Sequence, residues 1–155
     1  MPRLPYASID PDGYRHLTSL HDHLARSELG AKLLDLIYLR VSQINGCPYC
    51  VDMHWRDLVK AGEDPERLNA LVVWRGTNFF TDRERAALAW AEAVTRLHDQ
   101  EVPDAEYEAM RRLFSDKQLV DLTLAVANMN ALNRIAIAFH VTPGGGRRPG
   151  AKNGR

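Results

Sequence analysis

The chain contains two cysteines, and they stand together in Cys47-Pro48-Tyr49-Cys50, with His54 four residues beyond the second thiol. Cys-x-x-Cys spacing lets two sulfurs close a small disulfide ring, and a thiolate at the start of a helix has a depressed pKa. A histidine four residues further on lies one helical turn along the same face. A thiol, a second thiol and a proton acceptor therefore fall within reach of one another. That is the equipment of thiol-disulfide or peroxide chemistry.

Pro48 is placed to open a helix that continues to Ala61, ahead of Gly62. Cys47 then sits near the N-cap and Cys50 near N3, where free backbone N–H groups and the helix dipole favour a thiolate. At about 100° per residue, Cys50 and His54 share a face with Val51, Leu58 and Ala61, while Asp52 and Arg56 point away. If His54 accepts the Cys50 proton, a thiolate-imidazolium pair results, and the nucleophile is activated. Burial opposes that ionisation, so His54 needs a polar partner. A thiolate that meets a peroxide becomes a sulfenic acid, which condenses with a nearby thiol. Cys47 is that thiol.

Simpler readings exist for each residue. A free cysteine packs as a small hydrophobe, and a histidine on an apolar face is commonly a core residue. Two thiolates and an imidazole also form part of a zinc site, but a structural site closes with four ligands. The chain has no second Cys-x-x-Cys, and His16, His21, His23, His98 and His140 show no matching spacing. No bound metal or cofactor is therefore expected. His21 and His23 read as residues of a solvated helix, their rings turned apart by the two-residue separation.

The elements that position these residues all read as helices. Asp10-Pro11 caps and opens one that runs to about Ser27. The next runs from Ala31 to Ile44 on a stripe of Leu33, Leu34, Ile37, Val41 and Ile44, and Asn45-Gly46 ends it. Asp64-Pro65 starts a short helix toward Arg75. Thr81 to Glu84 and Ser115 to Gln118 have capping-box spacing, ahead of apolar runs from Ala86 to Leu97 and from Leu119 to His140. Pro103 opens another helix to about Phe114.

The fold expected is an all-α bundle of six or seven helices, a single domain over residues 1–140. The last helix is apolar nearly all round, with Leu119, Val126 and Ile137 on one side and Leu124 and Ile135 on the other. Such a helix is central or lies in a subunit interface. Asn130 and Asn133 fall within its first stripe and read as members of a structural hydrogen-bond network. Trp74, Phe79, Phe80 and Trp90 read as core or interface anchors.

Formal net charge is zero over 155 residues, so no bulk field recruits nucleic acid or an anionic membrane. Residues 141–155 hold Arg147, Arg148, Lys152 and Arg155 and no acid, leaving 16 basic against 20 acidic residues in 1–140. With Gly144 to Gly146 and Pro149, that stretch reads as a flexible basic tail. No apolar run is long enough to span a membrane, and residues 1–25 lack a signal-peptide core. A paired dithiol without an export signal implies the cytoplasm, where such pairs are catalytic or metal-binding more often than structural.

At these residues the sequence resembles the AhpD-like alkylhydroperoxidases of the carboxymuconolactone decarboxylase superfamily. The carrying segment is Leu36 to Gly62, LIYLRVSQINGCPYCVDMHWRDLVKAG, supported by Trp74 to Thr95 and, more weakly, by Leu119 to Phe139. The resemblance implies a helical subunit that assembles into homotrimers or homohexamers, with the dithiol close to other subunits. It implies that Cys50 attacks a peroxide. Cys47, the more accessible thiol, resolves the product and exchanges with a lipoyl-type dithiol or a thiol electron-donor protein, and His54 relays the proton.

The family places a glutamate twelve residues before the first cysteine, and here that position holds Asp35. By helical angle Asp35 lies opposite the main stripe of its helix and reads as solvated; only the resemblance draws it into the site. Where some members have a histidine before the second cysteine, this chain has Tyr49, a poor base at neutral pH. The function implied is a thiol-dependent peroxidase or disulfide reductase. Two other readings of the scaffold are a non-enzymatic redox sensor and a decarboxylase-type lyase, for which the two thiols have no use.

Overall fold

The computed structural model describes residues 2–98 and 101–146, and every regular element among them is helical. The helices are α1 (Tyr6–Ile9), α2 (Pro11–Ala25), α3 (Ala31–Asn45), α4 (Pro48–Lys60), α5 (Pro65–Asn69), α6 (Asp82–Thr95), α7 (Asp104–Leu113) and α8 (Asp116–Ala138). Turns of 3-10 helix occupy Ala70–Gly76 and Pro143–Gly146. The expected all-α bundle is present, with the four-residue α1 added ahead of it.

Helix starts follow the local chemistry. The Asp10 carboxylate accepts the Gly13 N–H at α2, and Asp64 accepts the Glu66 N–H at α5. Both capping boxes form, Thr81 with Glu84 on α6 and Ser115 with Gln118 on α8. Pro103 stands at the N-cap of α7, one residue outside the position expected. The helix expected from Asp64 to Arg75 breaks into α5 and a 3-10 turn, with Val73 off helical dihedrals. Leu68, Leu71 and Trp74 are buried at a spacing of three. A 3-10 turn keeps that spacing in line, whereas an α-helix drifts away from it.

Of the two places open to an all-round apolar helix, centre or interface, the centre of this chain is taken by α3. α3 is buried at Leu33, Leu34 and every position from Leu36 to Ser42, and it packs on α4, α6 and α8. α8 buries Leu119, Leu122, Val126 and Met129 but turns Val120, Leu124 and Ile137 outward. Ile137 thus leaves the stripe expected to hold it with Leu119 and Val126. Among the described residues, no further element covers these outward positions.

Two polar networks fasten α3. The Asn45 side-chain amide donates to Asn130 Oδ1 at 2.9 Å and Asn133 Oδ1 at 3.0 Å, and Asn133 donates to Ser42 Oγ at 3.0 Å. Asn130 and Asn133 therefore hold the structural network expected of them. Deeper in, the Glu92 carboxylate accepts from Arg40 Nε at 2.7 Å and Trp74 Nε1 at 2.9 Å, and Arg75 reaches its second oxygen. Burial alone raises the Glu92 pKa, but the hydrogen bonds from Arg75, Trp74 and Arg40 outweigh it and hold the carboxyl below its usual value.

Removing that carboxylate leaves Arg40 buried and unpaired. Glu92→Ala is expected to lose about 3–5 kcal/mol of stability, measured as a urea midpoint at neutral pH. Because the folded-state pKa is depressed, the contribution is present above the unfolded value of 4.5 and is lost as pH falls through the folded value. The gap between wild type and variant should therefore narrow in acid.

Candidate active site

The site begins at the turn between α3 and α4. Gly46 takes a left-handed conformation (φ 66°) that closes α3. The Cys47 N–H then bonds back to Ser42 O at 3.0 Å. Cys47 is the N-cap of α4, and its sulfur accepts the Cys50 N–H at 3.4 Å, with Pro48 between them at the first turn. The two residues occupy the cap and N3 positions read from the sequence. They are joined in a disulfide, with Cα atoms 5.4 Å apart.

The pair packs on Ala136 of α8, with Tyr49 and Val141 beside it, and the turn Pro143–Gly146 lies on α4. The opening residues of the stretch read as a tail thus lie against the dithiol. Its basic members Arg147, Arg148, Lys152 and Arg155 are outside the described residues.

The resemblance implies that Cys47 is the more accessible thiol; in the structure both are buried, and Cys50 is the one on a cavity. Cys47 is 0% exposed, sealed under Ala136 and Val141, while Cys50 is 4% exposed. Cys50 lines a cavity of about 220 Å³ with Tyr6, Tyr14, His21, Tyr49 and Met53. Met129 and Leu132 of α8 add to its apolar wall. Burial, with Tyr14 and Tyr49 close by, pushes the Tyr6 hydroxyl up to about 12, so it stays a neutral donor.

His54 is 1% exposed and shares the inner face of α4 with Cys50 and Leu58. The Asp35 carboxylate of α3 comes within 3.3 Å of its Nδ1. The contact is electrostatic, because its geometry falls short of a hydrogen bond and neither ring nitrogen has a hydrogen-bond partner. Asp35 is not solvated as its helical angle suggests; its side chain is 25% exposed. A residue opposite the main stripe faces solvent only when its helix has a wet side, and α3 is enclosed by its neighbours. The shorter carboxylate reaches the site that the resemblance assigns to it.

Sequence reasoning missed two side chains here. The Tyr38 ring lies between those of His21 and His54, with centroid separations of 5.1 and 5.2 Å. Burial first, then the Asp35 charge, pushes the Tyr38 hydroxyl well above its ordinary pKa. His21, expected on a solvated face, is half-buried on the cavity wall, whereas His23 is exposed. Burial, followed by the nearby His54, lowers the His21 pKa below 6.5 against the pull of Asp35, Asp22 and Asp57. The signal was present in the helical spacing: Tyr14, Thr18 and His21 line the cavity and lead to the fully buried Leu24. Among the described residues, no three His, Cys, Asp or Glu side chains are arranged to hold a metal ion.

Residues 11–93 match the model of the carboxymuconolactone decarboxylase family. The uncharacterized protein YdfG of Bacillus subtilis (strain 168) is 36% identical over 137 residues, 88% of this chain and 93% of that protein. A crystal structure from Agrobacterium tumefaciens, of unknown function and described as a candidate AhpD antioxidant-defence protein, is 36% identical. It superposes with a TM-score of 0.88 over 92% of this chain and 98% of that one. An uncharacterized peroxidase-related protein with an alkylhydroperoxidase AhpD core, from Ralstonia eutropha JMP134, is 26% identical. Its TM-score is 0.77, over 89% of this chain and 74% of that one.

If Asp35 supports the imidazolium form of His54, Asp35→Asn slows alkylation of reduced Cys50 by iodoacetamide at neutral pH about 10-fold. The helical circular dichroism spectrum should be unchanged. An undiminished alkylation rate would detach Asp35 from the thiol.

Proposed function

We propose that this chain, which belongs to the carboxymuconolactone decarboxylase family and is AhpD-like within it, is a thiol-dependent peroxidase and disulfide reductase. The observation that carries the reading is the Cys47–Cys50 pair at the start of α4, with Cys50 on a cavity and His54 with Asp35 one turn away. The Cys50 N–H, which donates to Cys47 Sγ, and the helix dipole behind it stabilise a sulfur anion. His54 takes the Cys50 proton, and Asp35 offsets the charge that the ring acquires.

The Cys50 thiolate attacks one peroxide oxygen. The O–O bond breaks, sulfur is oxidised to the sulfenic acid, and the departing oxygen leaves as an alcohol or water once protonated. Cys47 then attacks the Cys50 sulfur and water is released, forming the disulfide. An external dithiol returns the pair to the reduced state by thiol-disulfide exchange.

The burial of Cys47 directs that dithiol to Cys50, through the cavity. A slender lipoyl-type arm fits such an entrance better than the face of a folded thiol protein. No bound cofactor takes part. We place the reaction in a reducing cytoplasm, with the protein assembled as a homotrimer or homohexamer through outward apolar positions such as Val120 and Leu124.

Peroxide added to the reduced protein should yield one Cys47–Cys50 disulfide per chain, read by mass spectrometry as the loss of two hydrogens and of both alkylation sites. Cys47→Ser should stop at a sulfenic acid that dimedone traps, and Cys50→Ser should not react. His54→Ala should slow the first step by about 100-fold or more. A wild-type protein that keeps both thiols under excess peroxide refutes the reading. One disulfide per chain with no turnover on a lipoyl donor would make the pair a sensor.

A further inference from the structure

We propose that His21 is a second proton-transfer residue of this site, which binds the hydroperoxyl group of an organic hydroperoxide and moves its proton while His54 handles that of the thiol. The inference rests on the peroxidase reading above and assigns α2 a part in the chemistry.

Three observations converge on His21. Its ring lies on the wall of the cavity that Cys50 also lines. Its Nδ1 is buried and has no hydrogen-bond partner. Beyond it stand the Tyr38 hydroxyl and both ring nitrogens of His54, each buried and each also without a hydrogen-bond partner. Buried polar atoms are almost always satisfied, because leaving one bare costs about 1–3 kcal/mol. His21, Tyr38 and His54 lie ring beside ring between the cavity and Asp35. They form a polar lane, and His21 is its end on the cavity.

The form of the ring fits the task. The charged and titratable groups around His21 are Asp35, Asp22 and Asp57, which favour its protonated form, and His54, which opposes it. Burial decides the balance, and His21 is neutral at physiological pH. A neutral imidazole has a lone pair for an incoming O–H, as a hydroperoxide supplies and a dialkyl peroxide does not.

The cavity sets the rest of the substrate. At about 220 Å³ it exceeds the ~150 Å³ that accommodates benzene in an apolar cavity, and far exceeds the ~30 Å³ share of a water-sized molecule. Met53, Met129 and Leu132 offer apolar contact to a carbon body.

In the step itself the Cys50 thiolate attacks the terminal, hydrogen-bearing oxygen. An S–O bond forms, the O–O bond breaks, and sulfur loses the two electrons that the peroxide gains. The terminal hydrogen passes to His21 and from there to the departing alkoxide, giving the alcohol and a sulfenate. The sulfenate takes the proton that His54 removed from the thiol, so one thiol and one hydroperoxide become one sulfenic acid and one alcohol.

The test uses the full-length reduced protein, with cumene hydroperoxide as the probe and disulfide formation followed by rapid quench. His21→Phe keeps the ring against Tyr38 and removes the nitrogens; His21→Gln keeps a polar group. Both should react with cumene hydroperoxide about 100-fold more slowly, while Cys50 alkylation by iodoacetamide, which transfers no peroxide proton, stays within about 2-fold of wild type. The wild-type rate, corrected for thiolate, should fall in acid as His21 protonates, and His21→Phe should lose that limb. An unchanged hydroperoxide rate in both variants overturns the role of His21 alone. A parallel loss of alkylation also overturns it, by moving His21 to the thiol or the fold. A wild-type protein that alkylates but ignores cumene hydroperoxide overturns the peroxidase reading along with it.

Discussion

The turn at Asn45-Gly46-Cys47 governs the arrangement. Gly46 ends one helix in a conformation that other residues resist, and Cys47 begins the next in the same few ångströms of chain. The two helices are thereby folded back on each other. Asp35, eleven residues before Gly46, and His54, eight residues after it, return to about the same level along the pair. The Asn45 amide anchors the turn from outside by bridging to two asparagines of α8. A sulfur at the mouth of a helix and the Asp35–His54 contact one turn deeper are two results of one reversal of the chain.

That reversal was legible in the sequence. Asn45-Gly46 and Pro48 mark it without ambiguity, and the inner face of α4 follows from counting residues between Cys50, His54 and Leu58. What sequence could not supply was the neighbour on each face. Asp35 looked solvated because an angle was compared with a stripe, and the stripe of α3 turned out to be most of its circumference. His21 was judged against His23, two residues away, when its real neighbours are on other helices: Tyr38 and, through it, His54. The resemblance made Cys47 the more accessible thiol, but Ala136 and Val141 arrive from the far end of the chain to pack on it. Each miss concerns a contact between residues distant in sequence, where local periodicity carries no information.

The bundle also divides its polar groups into two kinds. Around Glu92 and around Asn133 every buried donor found meets an acceptor, and those networks hold α3 to α6 and α8. Around Tyr38 and His54 the pattern differs: the Tyr38 hydroxyl and both His54 nitrogens are buried with no protein hydrogen-bond partner.

The wall that encloses the sulfurs is assembled from the two ends of the described chain. The Arg3 amide bonds to Phe139 O at 2.8 Å, and the Tyr6 ring stacks on Phe139 with centroids 5.2 Å apart. During synthesis the thiols therefore leave the ribosome some ninety residues before their cover does. For that interval they are an ordinary exposed dithiol, open to any oxidant. The dithiol acquires its enclosure only when the residues after α8 meet those before α2.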